Sequence, residues 1–334
     1  MRRALGGLLL GAFLLTACGG GGGGADRASS TTAAPTAVTS PATTVLPTTT
    51  TTAPPAVNRR TGVGVHHETF VDPTRPTSSG ESSRTFPVTI WYPTPGDPDA
   101  PPVPDAPPDR SVGPYPLVVF VHGYAVTPDF YEELLRRWAA AGYVVAAAAY
   151  PGDDADYVMQ FTDTSFLITQ LLQLSAGAPG SNPLAGTIDP NRVGVAGHSN
   201  GEAIAYGLGF LQCCRDRRVT SVVALAGILG NINNPVQRDN GVPVLHVMGE
   251  ADELQPYNEA IQWDRDNLTP PRWFVTLVGG THAPPYRSPS SPYFDGVVTI
   301  TTDFLDGTLK GHPEKLTAID DYVAANGSLF RVER

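Results

Sequence analysis

A serine between two glycines is the arrangement in this chain best suited to covalent chemistry. Residues 197–201 read Gly-His-Ser-Asn-Gly, an apolar run enters them at 192–196, and small residues follow. This G-x-S-x-G pattern between a strand and a helix predicts a nucleophile elbow, a sharp turn that exposes a serine Oγ. Glycines are required because strand and helix approach closely around a strained residue. Ser199 is therefore the candidate nucleophile.

A serine hydroxyl needs a base that takes its proton and an acid that orients the base. His282 lies in a loop directly after an apolar run at 272–278, and Asp252 lies in a loop after the apolar run at 242–247. We expect His282 to be the base and Asp252 the acid. Glu250 and Glu253 stay open as alternative acids.

These segments resemble the α/β-hydrolase superfamily from about residue 61 to residue 334. Within it, the chain is similar to single-domain esterases that include chlorophyllases, platelet-activating-factor acetylhydrolases and actinobacterial cutinase-like polyesterases. The order Ser199, Asp252, His282 is the order of that superfamily. Glu202 departs from the pattern, because many relatives have glycine or alanine there. The segments that carry the closer resemblance are 84–93, 114–124, 197–201, 248–254 and 280–286.

The resemblance implies an oxyanion hole and no cofactor. A buried apolar run at 117–121 leads into His122-Gly123, and in relatives the backbone N–H after such a pair faces the reacting carbonyl. By position, the two donors are the amides of Tyr124 and Asn200. We expect His122 to brace the loop.

The pattern of apolar runs predicts the α/β-hydrolase fold, a mostly parallel eight-stranded sheet with helices on both faces. The first two strands are expected to form an antiparallel hairpin. Predicted strands are 63–69, 85–92, 117–121, 143–149, 192–196, 220–226, 242–247 and 272–278. Predicted helices are 129–141, 156–174, 200–212, 294–309 and 313–325.

The first 58 residues have the composition of an export signal and a tether. Residues 1–17 combine two arginines with a short apolar stretch, which is typical of a lipoprotein signal peptide, and Cys18 stands where lipid would be attached. Ordinary secretion is the alternative. Residues 18–58 are rich in Gly, Thr, Ala and Pro and predict a disordered tether. Residues 59–334 form the predicted catalytic domain, anchored to the outer side of a bacterial membrane.

Charge and residue usage exclude other classes of partner. The 334 residues carry a formal net charge of −10 and no basic cluster, which argues against nucleic acid. His66 and His67 alternate on a strand, so they cannot chelate one metal together. For the adjacent Cys213 and Cys214 we expect buried thiols, with a vicinal disulfide left open. A monomer is expected.

The predicted function is a serine esterase or lipase that acts on an ester substrate, including lipid esters. An acyltransferase on envelope lipids or glycans, and a non-catalytic binding lipoprotein, are the alternatives. Expected pocket residues are Tyr124, Phe161, Pro284 and Tyr286, with an acidic rim of Asp153, Asp154 and Asp156 beside Tyr157.

Overall fold

The computed structural model describes residues 60–77, 79–151, 157–229 and 234–334. In these ranges ten strands form one sheet with helices on both faces. The predicted signal peptide, the tether, Cys18 and the acidic residues Asp153, Asp154 and Asp156 lie outside the described residues, so those expectations stay predictions.

All eight predicted strands are present, and the sheet has two more. Neither additional strand shows a long apolar run, because β3 has two residues and β10 has four. The expected strand number is therefore corrected from eight to ten. The strands are β1 (Gly62–Asp72), β2 (Arg84–Thr94), β3 (Val103–Pro104), β4 (Tyr115–Val121), β5 (Val144–Ala148), β6 (Ile188–His198), β7 (Val219–Leu225), β8 (Val244–Gly249), β9 (Arg272–Leu277) and β10 (Phe330–Glu333).

The strand order is β10-β9-β8-β7-β6-β4-β5-β2-β1-β3. β1 and β2 form the predicted antiparallel hairpin, and the six neighbouring strands from β9 to β5 are all parallel. β5 follows β4 in the chain and lies on one side of it. The chain then crosses over, so that β6 lies on the other side of β4. Ligands of open α/β sheets bind at the carboxyl ends of strands beside such a reversal. The loops after β4 and β6 therefore meet at the edge where chemistry is expected.

Seven α-helices cover the sheet within the described ranges. The five predicted helices are present, and α1 follows a 3₁₀ turn at Pro128–Tyr131. α4 was not predicted because its sequence is mostly polar, and α5 has only four residues. The helices are α1 (Glu132–Ala140), α2 (Tyr157–Ser175), α3 (Asn200–Phe210), α4 (Tyr257–Asn267), α5 (Pro284–Arg287), α6 (Phe294–Leu309) and α7 (Pro313–Ala325).

Two apolar cores hold the sheet between these helices. α2 and α3 pack on one face, where Tyr206 and Phe210 are buried, and α1 and α6 pack on the other around Trp138 and Phe304. Burial of each such side chain stabilises the fold by about 1.5–3 kcal/mol. Packing on both faces therefore fixes the position of the carboxyl edge of the sheet, from which the loops start. None of the helices in the described ranges combines the length and apolar character that crossing a membrane requires.

Candidate active site

Ser199 occupies the predicted sharp turn between β6 and α3. Its φ of 55° and ψ of −118° are unusual for a residue with a side chain. Such a conformation costs about 1–3 kcal/mol and persists only where the surroundings impose it. Here the Ser199 N–H donates to the carbonyl of Leu225 at 2.8 Å, on the neighbouring strand β7. The geometry of a nucleophile elbow is therefore present at Ser199.

The two glycines of the motif are required by close backbone contacts. A Cβ on Gly197 would lie 2.0 Å from the carbonyl oxygen of Gly201, and a Cβ on Gly201 would lie 2.1 Å from that of Val121. No side chain fits at such distances. The turn is thus compressed between β4 and α3, as expected for a strand and a helix that close on one another.

His282 and Asp252 meet at the end of β8 and β9. Nδ1 of His282 lies 3.0 Å from Oδ1 and 2.8 Å from Oδ2 of Asp252. A carboxylate accepts, so Nδ1 carries the proton and Nε2 keeps its lone pair. Oδ1 also accepts the backbone N–H groups of Leu254 and Gln255 at 2.9 and 2.8 Å. Burial alone would raise the pKa of Asp252, but these hydrogen bonds lower it below its ordinary value.

The structure distinguishes Asp252 from the two neighbouring carboxylates. Glu250 is exposed and pairs with Arg331. The carboxylate of Glu253 accepts the backbone N–H of His282 at 3.1 Å, which is a contact with the main chain and not with the ring. Among the described contacts of the three candidate acids, only those of Asp252 reach the imidazole ring of His282, and the Asp252 side chain is fully buried.

The loop after β4 lies against the elbow. A Cβ on Gly123 would be 3.4 Å from Cβ of Ser199, so the backbone that leads into Tyr124 passes directly beside the nucleophile. Asn200 is the first residue of α3, and amides of a first helical turn point away from the helix body. Both expected oxyanion donors therefore belong to segments that adjoin Ser199. His122 donates its Nδ1–H to the Gly123 carbonyl at 2.8 Å, the bracing contact expected of it.

His198 is a site residue that sequence reasoning missed. The sequence pattern assigns it no role. Its Nε2 lies 2.9 Å from the carbonyl oxygen of His282, and its Nδ1 lies 2.8 Å from the hydroxyl of Tyr131. His198 is part of the elbow motif, but its partners are 84 and 67 residues away along the chain. No local pattern indicates such a contact.

Glu202 is part of a buried cluster of polar side chains behind Ser199. Its carboxylate is fully buried, with Oε2 3.5 Å from Nε2 of His246. Nδ1 of His246 lies 3.1 Å from Oδ2 of Asp264, whose Oδ1 accepts the hydroxyl of Tyr206 at 2.8 Å. Burial raises the pKa of Glu202 to about 8. Burial would lower the pKa of His246, but Glu202 and Asp264 raise it to about 9.

Four expected pocket residues divide between surface and core. Tyr124 and Pro284 are exposed. Phe161 is buried and its ring packs where a Cβ of Gly207 would lie. Tyr286 is also buried, and its hydroxyl donates to the carbonyl of Val247 at 3.0 Å. Phe161 and Tyr286 therefore belong to the buried core next to the candidate site and do not line an open pocket.

The remaining histidines and cysteines that the sequence singled out lie in the described residues. No group of three potential ligands could hold a metal ion in the ranges that the structure describes. His66 contacts Asp105 and His67 contacts Thr89, so the two histidines have separate partners. The expectation of buried thiols was wrong. Cys213 and Cys214 form a vicinal disulfide in the turn after α3, where Cys213 is exposed.

Comparisons with known proteins agree with this architecture. Residues 97–238 match the model of the Chlorophyllase family, a segment that includes Tyr124 and Ser199 and covers less than half of the chain. The structure is similar to a ferulic acid esterase from Streptomyces cinnamoneus, with a TM-score of 0.60 and 21% identity, over 78% of this chain and 93% of that chain. No curated protein matches the sequence. The chain thus has the α/β-hydrolase fold and resembles the chlorophyllase group, and these matches indicate an ester-hydrolysing enzyme.

Proposed function

We propose that this chain is a serine carboxylic-ester hydrolase that uses Ser199, His282 and Asp252 as a catalytic triad and forms an acyl-enzyme. The observation that carries the proposal is the contact of both Asp252 oxygens with Nδ1 of His282. That contact selects the tautomer with a lone pair on Nε2, which is the form a general base requires.

In the first half-reaction, Ser199 Oγ attacks the ester carbonyl and its proton passes to Nε2 of His282. The ionised Asp252 stabilises the resulting imidazolium, and its lowered pKa supports that role. The backbone N–H groups of Tyr124 and Asn200 donate to the oxyanion. His282 then protonates the leaving alcohol, and the acyl group stays on Ser199.

In the second half-reaction, water replaces the alcohol. Nε2 of His282 takes a proton from the water as it attacks the acyl carbonyl, and the same oxyanion donors act again. Ser199 regains its proton from His282 as the carboxylic acid leaves. His282 takes up and returns the proton in both half-reactions, so the proposed scheme calls for no cofactor.

We also propose that the enzyme is a lipoprotein. Cleavage before Cys18 would leave a lipid-modified cysteine, and residues 18–58 would hold a monomeric catalytic domain away from the outer face of the membrane. A Cys18→Ser variant is expected to leave the membrane fraction. Equal membrane retention of this variant and the native chain would reject the anchor.

The test of the main proposal is hydrolysis of p-nitrophenyl esters from acetate to palmitate by the purified full chain. We expect turnover that Ser199→Ala lowers by about 10⁴-fold or more. A serine-directed fluorophosphonate should label the native chain and not Ser199→Ala. Undiminished turnover by Ser199→Ala would overturn the assignment, and the chain-length optimum would measure the acyl group that the site accepts.

A further inference from the structure

His198 contacts two different loops of the site from a buried position. It is 3% exposed, and its ring lies between those of Tyr131, His282 and Tyr286, at centroid distances of 5.3, 4.8 and 5.0 Å. Three neighbouring rings leave its plane little freedom. The directions of its two hydrogen bonds are therefore fixed by packing.

The hydrogen positions follow from the partners. The His282 carbonyl can only accept, so Nε2 of His198 carries the proton. Burial lowers the pKa of His198 to about 3, so the ring is neutral and has a single N–H. Nδ1 must then accept from the hydroxyl of Tyr131. Burial raises the pKa of Tyr131 to about 12, which keeps that hydroxyl protonated.

Tyr131 extends the connection to the oxyanion loop. Its hydroxyl oxygen accepts the backbone N–H of Gly123 at 3.3 Å. Gly123 immediately precedes Tyr124, whose amide is the proposed oxyanion donor. The connection thus runs from the Gly123 amide through Tyr131 and His198 to the His282 carbonyl, and it passes beside Ser199.

We propose that His198 and Tyr131 are positioning residues that hold the oxyanion loop and the His282 loop at a common spacing around Ser199. This inference rests on the proposed ester hydrolysis. Neither residue contacts the reacting ester. They act by fixing the peptides on either side of the nucleophile, and a displacement of about 1 Å in such a site can cost about 10²-fold in rate.

Two substitutions of His198 separate the halves of the connection. In His198→Gln the side-chain amide can place an N–H near the original Nε2, whereas in His198→Asn the shorter amide reaches only the position of Nδ1. We expect His198→Asn to lower kcat by about 10- to 100-fold with little change in KM. His198→Gln keeps the contact with the His282 carbonyl and loses only the acceptor for Tyr131, so we expect it to lower kcat less than His198→Asn does. Thermal unfolding shows whether each variant is folded.

A second pair of variants tests the other half without changing His198. Tyr131→Phe removes the hydroxyl between Gly123 and His198 and is expected to lower kcat. Tyr143→Phe is the matched control, because it removes an equally buried hydroxyl that donates to Asp306 at 2.6 Å, away from the site. We expect this control to lose stability without loss of kcat.

The outcomes distinguish the two proposals. No ester turnover by the native chain would reject the proposed function itself. Native turnover with unchanged kcat in folded His198→Asn and Tyr131→Phe would overturn the positioning role alone. If His198→Asn does not fold, the comparison of Tyr131→Phe with Tyr143→Phe decides.

Discussion

Glu202 and His246 face one another across 3.5 Å in a part of the interior where neither side chain is more than 1% exposed. Glu202 is in the first turn of α3, the helix that follows Ser199, and His246 is on β8, the strand that leads to Asp252. A buried acid and a buried base therefore join the helix beside Ser199 to the strand before Asp252. Such pairs contribute little net stability but are costly to break on one side.

The first prediction concerns stability above neutral pH. The folded pKa of Glu202, about 8, exceeds its ordinary 4.5, so its contribution to stability declines as pH rises from 4.5 to 8. The folded pKa of His246, about 9, exceeds 6.5, so its contribution is complete below 6.5 and is lost as pH rises through 9. Both effects have the same sign, and Tm is expected to fall between pH 7 and pH 9.

The double variant Glu202→Gln, His246→Gln should have a flatter dependence of Tm on pH over that range, measured by calorimetry. Removing both partners avoids leaving one charge buried alone. Asp264 and Tyr206 remain in the variant. A slope equal to that of the native chain would show that the pair does not take up protons on folding.

The second prediction concerns the acid of the proposed triad. Asp252→Asn is expected to lower kcat by about 10³–10⁴-fold, because an amide can donate to Nδ1 and favour the wrong tautomer of His282. Glu250→Gln is the matched control, since its carboxylate pairs with Arg331 outside the site. Comparable losses in both variants would contradict the assignment of Asp252.

The third prediction concerns Gly227, behind the elbow. A Cβ there would lie 2.5 Å from Oε2 of Glu202 and 2.7 Å from the carbonyl oxygen of Ser199. Gly227→Ala is expected to destabilise the fold by about 1–3 kcal/mol, as overpacking does. Gly327→Ala is the control, because its nearest contacts are at 3.8 and 3.9 Å. Denaturant unfolding measures both, and equal stability of the two variants would reject the close contact.

The fourth prediction concerns the vicinal disulfide. The native chain should react with a maleimide at Cys213 and Cys214 only after treatment with a reductant, as seen by mass spectrometry of the peptide that contains them. The control is Cys213→Ser, in which Cys214 keeps a free thiol and should react without reductant once the chain is unfolded. Full labelling of the unreduced, unfolded native chain would show two thiols.

Much of the fold was determined by local sequence. Each of the eight predicted strands has its own apolar run, and the antiparallel start and parallel middle of the sheet followed from the presence or absence of helices between them. β3, β10, α4 and α5 were missed because they are short or bury few apolar residues. Such elements form because of the strands and side chains that pack against them, and local periodicity does not indicate them.

The sharp turn at Ser199 could also be predicted from the sequence, because Gly197, Ser199 and Gly201 lie within five residues and each obeys a local steric requirement. The sequence favoured Asp252 but left Glu250 and Glu253 open, since the choice depends on which carboxylate the loop turns toward His282. The contacts of His198 with Tyr131, and of Glu202 with His246, depend on the packing of elements far apart in the chain. Sequence alone indicated the candidate residues Ser199, Asp252 and His282, and tertiary packing decided which buried groups lie beside them.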